Sequence, residues 1–120
     1  MTQATVYVSI TGLELASIWQ APRFWWHAIR SMAQARRAAG NLSVDARRID
    51  GVHHTLSVWT DEAAMRRYLV AGAHLQAMKS FHGMGTGKTY GFTAEQAPGW
   101  DEAHNLWLAR AVVMVAKRPR

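Results

Sequence analysis

Alternation of apolar and polar positions with period two opens the ordered part of the chain. In residues 5–11, TVYVSIT, Val6, Val8 and Ile10 point one way and Tyr7 and Ser9 the other. That is the pattern of a half-buried strand. Residues 12–22 lose the alternation and read as a connection closing at Pro22, with a short turn around Leu15 to Trp19. From 23 to 39 the period becomes helical. Trp25, Ala28, Ile29, Met32, Ala35 and Ala39 form one stripe, and Arg30, Gln34 and Arg37 lie largely off it. Gly40-Asn41 then supplies a helix stop.

Two strand-like runs follow, 42–49 and 52–60, on either side of Asp50-Gly51. Asp-Gly predicts a two-residue hairpin loop, because both positions can take positive φ. Thr60 or Asp61 caps a second helix, with Met65, Tyr68, Leu69 and Gly72 on one face. Gly72 is expected to kink or break it, leaving a second helical piece from His74 to about Phe81. Residues 82–87 (HGMGTG) predict a flexible loop, and 88–93 (KTYGFT) a strand with Tyr90 and Phe92 on one face.

The order β-α-β-β-α-β predicts an α+β, ferredoxin-like domain. A four-stranded antiparallel sheet would carry two helices on one face. The other face needs a cover, which a second subunit often supplies in small proteins of this plan. From about residue 98 there is a C-terminal extension. Trp100-Asp101-Glu102-Ala103-His104 opens a helix to about Arg110, and Val112 to Val115 reads as a fifth strand or as more helix. No boundary or repeat divides the chain, so a single domain over 1–120 is expected.

Composition narrows the chemistry. Cysteine is absent, which removes disulfides, thiolate metal sites and a Cys nucleophile. No apolar run approaches the ~20 residues of a bilayer span, and the N-terminus lacks the basic start of a signal peptide. A cytoplasmic protein with no membrane partner is expected. The net charge is +6, with arginine pairs at 36–37, 47–48 and 66–67. Aromatic residues do not interleave with them as a stacking platform for nucleic acid requires, so they read as a solvated basic face. The tail from Lys117 to Arg120 is expected to fray. Six tryptophans in 120 residues make a pocket or a dimer interface plausible.

Residues 83–89, GMGTGKT, imitate a phosphate loop but fail the pattern. The first glycine would fall at His82, and the segment leads into a strand rather than a helix. The histidines form no metal set, since His53 and His54 point to opposite sheet faces and His74 and His82 lie two helical turns apart. His74, beside the Gly72-Ala73 break, is the candidate catalytic residue: a pocket base, a hydrogen-bond donor or a haem ligand. Packing at a helix junction is its plainer role. His54, sharing a face with Leu56 and Val58, and Trp59, at the strand's end, are candidate ligand contacts. Each also reads as core.

The block from Leu56 through Trp59, Glu62, Ala63 and Tyr68 to Gly72, Ala73 and His74 resembles a pattern in the dimeric α/β-barrel superfamily. The nearest likenesses are small uncharacterised proteins akin to spheroidene monooxygenase and, more distantly, the antibiotic-biosynthesis monooxygenases. Trp100-Asp101-Glu102-Ala103 is similar to a later helix in some of them. The resemblance spans about residues 52–110. It implies a homodimer with a pocket between sheet and helices. Some members oxygenate polycyclic aromatics without a cofactor, the substrate carbanion giving electrons to oxygen, and others bind or degrade haem. By resemblance the ligand is small and apolar or aromatic, His74 and Trp59 are the matched positions, and His54 is a weaker addition. A non-enzymatic ligand-binding or dimeric assembly module is the alternative.

Overall fold

The computed structural model describes residues 5–80 and 85–113, apart from the side chains of Ala73, Met78 and Ser80. In chain order these residues form β1 (Val6–Leu15), a short 3-10 turn (Ile18–Gln20), α1 (Ala21–Arg37), β2 (Asn41–Ile49), β3 (Val52–Trp59), α2 (Glu62–Leu69), α3 (Gly72–Ser80), β4 (Gly85–Ala94), α4 (Trp100–Arg110) and β5 (Val112–Val113). The sheet order is β2-β3-β1-β4-β5, antiparallel throughout. Its first four strands follow the ferredoxin-like plan, and β5 is added at the β4 edge.

Local chemistry accounts for most of the boundaries. Asp50 and Gly51 take φ of 52° and 81°, the tight loop that closes the β2–β3 hairpin. The Asp61 carboxylate accepts from the Ala64 N–H at 2.9 Å and caps α2. Gly72, at φ +51°, separates α2 from α3. Pro22 lies in the first turn of α1, where its missing N–H costs nothing. Gly40, at φ +90°, turns the chain from α1 into β2, and its carbonyl accepts from the Thr60 N–H at 2.7 Å.

Several expectations need correction. β1 does not stop at Thr11. It runs to Leu15 because β4 begins at Gly85 and pairs with it along that whole length. Residues 85–87, expected in a loop, are therefore strand, whereas the expected loop residues 82–84 lie outside the described residues. The α1 stripe is rotated: Ser31 and Ala35 are buried, while Ile29 is 64% exposed and Trp25 is partly exposed. α3 starts at Gly72 rather than His74. Residues 112–113 form a strand, and the remainder of the tail, with its expected fraying, lies outside the described residues.

Two core layers sandwich the sheet. On one face Trp59, Ala35, Ala64 and Met65 pack with Tyr7, Tyr68 and Leu69, joining β1 and β3 to α1 and α2. On the other face Val8, Ile10 and Leu56 pack against Ala103, with Trp100, Leu106 and Trp107 around them. On this face α4 of the same chain covers the Val8–Ile10–Leu56 cluster.

Candidate functional site

The strand alternation that separates the two layers also separates the candidate residues. Trp59 and His74 lie on the α1–α2 side. His54 lies on the α4 side, across the sheet from both.

Trp59 is fully buried. Its indole N–H donates to Ser57 Oγ at 3.0 Å, so the buried donor is satisfied within its own strand. Its ring meets Tyr68 at 5.1 Å between centroids, and Tyr68 in turn meets His74 at 4.6 Å. The three form a short aromatic column from the end of β3 to the start of α3. The Tyr68 hydroxyl donates to the Ser31 carbonyl at 3.0 Å. Burial pushes its pKa far above the usual tyrosine value, only partly offset by that hydrogen bond, so it stays protonated.

His74 Nδ1 lies 3.2 Å from the Leu69 carbonyl. A carbonyl only accepts, so Nδ1 carries the hydrogen and Nε2 is left as the basic nitrogen. Burial lowers the His74 pKa, with the Leu69 contact opposing, and the ring is neutral at pH 7. Its backbone is held by Gln34 of α1. Gln34 Oε1 accepts from the His74 N–H at 2.7 Å, while Gln34 Nε2 donates to the Ala71 and Tyr68 carbonyls at 2.9 and 3.3 Å. The His74 N–H lies in the first turn of α3, where a helix offers it no carbonyl, and Gln34 supplies the acceptor. The Tyr68 and Ala71 carbonyls also accept from the Ala71 and Leu75 N–H groups, so Gln34 adds a second donor to each. Nothing in the sequence marked Gln34 for this role beyond its place off the apolar stripe.

Between α1 and the α2–α3 junction lies an open cleft of about 570 Å³. Ala33 and Ala64 line it with Tyr68, and three guanidinium groups, Arg30, Arg37 and Arg67, belong to its wall. Small side chains leave the space, and the arginines make it cationic. Tyr68 is the residue that joins the cleft to the aromatic column.

On the far face, His54 is 2% exposed and packs edge-on against Trp107 at 4.5 Å and near His104 at 5.2 Å. Its Nδ1 donates to the Thr11 carbonyl at 3.2 Å, and its buried Nε2 meets no partner. Desolvation lowers its pKa, the Thr11 bond opposes, and His104 and His53 lower it further. His53 points the other way, against Phe24 and Trp25 of α1. Among the described residues no three His, Asp or Glu side chains gather as a metal set.

Haem does not fit this arrangement. His74 does not line the cleft, and His54 Nε2 is enclosed by packed rings rather than a porphyrin-sized slot. No role for haem follows from these residues.

No family model matches the sequence, and no curated protein matches it. Solved structures do match the fold. SnoaB, a cofactor-independent oxygenase from Streptomyces nogalater, superposes with a TM-score of 0.65 at 23% identity, over 78% of this chain and 97% of its own. A candidate antibiotic-biosynthesis monooxygenase from Deinococcus radiodurans gives 0.67 at 18%, over 78% and 96%. One from Nitrosomonas europaea gives 0.66 at 12%, over 83% and 96%.

This chain has the ferredoxin-like fold of these monooxygenase-like proteins.

The likeness covers nearly the whole of each neighbour and agrees with the resemblance read from residues 52–110. At these identities it establishes the fold.

Proposed function

We propose that this monooxygenase-like chain binds a flat aromatic molecule in the α1–α2 cleft and oxidises it with molecular oxygen. The observation that carries the reading is Tyr68. It lines the cleft and is in ring contact with both Trp59 and His74, so the space for a ligand meets the matched block at one side chain. A phenolic or enolisable aromatic would lie on the alanines against Tyr68. In this reading neutral His74 takes the substrate proton at Nε2 when the Tyr68 ring yields. The carbanion passes an electron to oxygen and the two radicals join as a peroxide, and return of the His74 proton with loss of water leaves a ketone. Gln34 holds His74 in register through its backbone. Trp59 supports Tyr68 from beneath, as a packing residue. His54, on the other face, takes no part.

A second reading has its own observation. His74 is one ring removed from the cleft and Trp59 is fully buried, as a module that binds a ligand without turning it over would have them. Homodimerisation belongs to the first reading. With α4 seated on the Val8–Ile10–Leu56 face, the interface would lie outside that cluster, and sedimentation equilibrium measures it.

The experiment is a titration with dithranol, a tricyclic phenolic anthrone, followed by tryptophan fluorescence and by oxygen uptake. Saturable binding with oxygen consumption that falls in His74→Ala supports the oxidation. Binding without oxygen uptake selects the non-enzymatic module. An affinity and rate unchanged in His74→Ala would remove that residue from the site.

A further inference from the structure

The outer face of α1 carries apolar side chains that neither the core nor the cleft uses. Trp19 and Ile18, on the 3-10 turn, are 86% and 79% exposed, and Trp26 and Ile29 of α1 are 60% and 64% exposed. Trp26 and Ile29 are three residues apart, and Pro22 lies one turn before Trp26, so they share one side of the helix. Large apolar side chains that cluster in water mark a contact surface.

The charge around this patch has one sign. From Leu15 to Val44 the chain contains Arg23, Arg30, Arg36 and Arg37 and no acidic residue. The Arg30 guanidinium lies 5.2 Å from the centre of the Trp26 ring, so cation and indole are presented together. Tryptophan beside arginine on an amphipathic helix suits the boundary of a lipid bilayer. There the indole sits at headgroup depth and the cation meets anionic lipid. A peripheral surface of this kind needs no spanning helix, and no described helix is long and apolar enough to span.

We propose that the 3-10 turn and the outer face of α1 dock the protein on anionic bilayers. The occupant is argued from charge. A second copy meeting this face across a two-fold axis would set Arg30 and Arg36 of one chain against the same residues of the other. Negatively charged headgroups answer them directly.

The test is flotation of the full chain with vesicles of phosphatidylcholine, with and without phosphatidylglycerol, at low salt, with tryptophan emission read alongside. The expected result is binding to the mixed vesicles with a blue shift, little binding to phosphatidylcholine alone, and release by salt. Trp19→Ala together with Trp26→Ala should weaken binding by about tenfold or more, since both indoles lose their buried area. Arg36→Gln, outside the cleft, should weaken it about fivefold. Both positions are exposed, and circular dichroism reports that the fold is intact. Equal binding to both vesicle types, or undiminished binding by the double variant, overturns the proposal. So does loss of a dimer in the double variant without any vesicle binding, which would make the patch a contact between copies. Tighter binding of a single-stranded oligonucleotide, displacing the vesicles, overturns it as well.

Discussion

Gly12→Ala tests how α4 is held on the sheet. Gly12 lies in β1, opposite His54 on β3 and Lys88 on β4. A Cβ at this position would stand 2.7 Å from Trp107 Cε2 and 2.9 Å from His54 Cε1, and would also run into Trp107 Cζ2. Carbon atoms pack best at about 3.5–4.0 Å, so the indole must retreat by roughly 1 Å. It is not free to do so, because Trp107 Nε1 donates to the Lys88 carbonyl at 3.0 Å. Overpacking of this kind costs about 1–3 kcal/mol, and the strained hydrogen bond adds about 1 kcal/mol. Reduced freedom of the unfolded chain returns about 0.4–1 kcal/mol. The net expectation is a destabilisation of about 1–3 kcal/mol, read as a urea midpoint lower by roughly 1 M. The decisive measurement is a double-mutant cycle with Trp107→Ala. In that background the indole contacts are gone and only the 2.9 Å approach to His54 Cε1 remains, so Gly12→Ala should cost clearly less than in the parent. The coupling is then on the order of 1–3 kcal/mol. An equal cost in both backgrounds, or no cost in either, would refute the account of α4 docking.

Three other outcomes follow from the same geometry. Ser57→Ala removes the acceptor for the buried Trp59 indole and should cost about 1–3 kcal/mol by urea denaturation; a cost near zero would show that the indole finds another partner. Gly40→Ala should destabilise by more than about 1 kcal/mol, because φ is +90° and the added Cβ would lie 2.5 Å from Ala64 Cβ. A midpoint unchanged from the parent would contradict that strain. Stability should fall on acidification: the folded His54 pKa is depressed below its ordinary 6.5, so the unfolded chain binds the proton more readily. That contribution is complete above about pH 6.5 and is lost as pH falls through 6.5 toward the folded value. His54→Asn keeps a donor for Thr11 and should flatten the slope, by at most about 1.4 kcal/mol per pH unit. A slope identical to the parent's would place the titration on His27, His53 or His74, whose pKa values are depressed in the same direction.

Much of the scaffold was legible because its determinants are local. Asp50-Gly51 selects a tight loop by backbone sterics, Asp61 caps a helix three residues ahead of its partner N–H, and Gly72 breaks a helix through its own φ. His53 and His54 had to face opposite ways because neighbouring strand residues always do. The candidate site was less legible. Gln34, which ties His74 to α1, gave no signal, since its partners are carbonyls and an N–H some 34 to 40 positions away. Gly12 read as the start of a loop, because the reason for a glycine there is an indole almost a hundred residues later.

The sequence by itself determined the order of the elements and the hydrophobic alternation of the strands, since both depend on residues a few positions apart. The tertiary structure alone decided which elements cover which face. It seated α4 on the Val8–Ile10–Leu56 layer and enclosed His54 there, and it brought Trp59, Tyr68 and His74 into tilted ring contact on the opposite side. Residues alike in type were sent to different sites because a sheet has two faces, and only long-range packing assigns a neighbour to each.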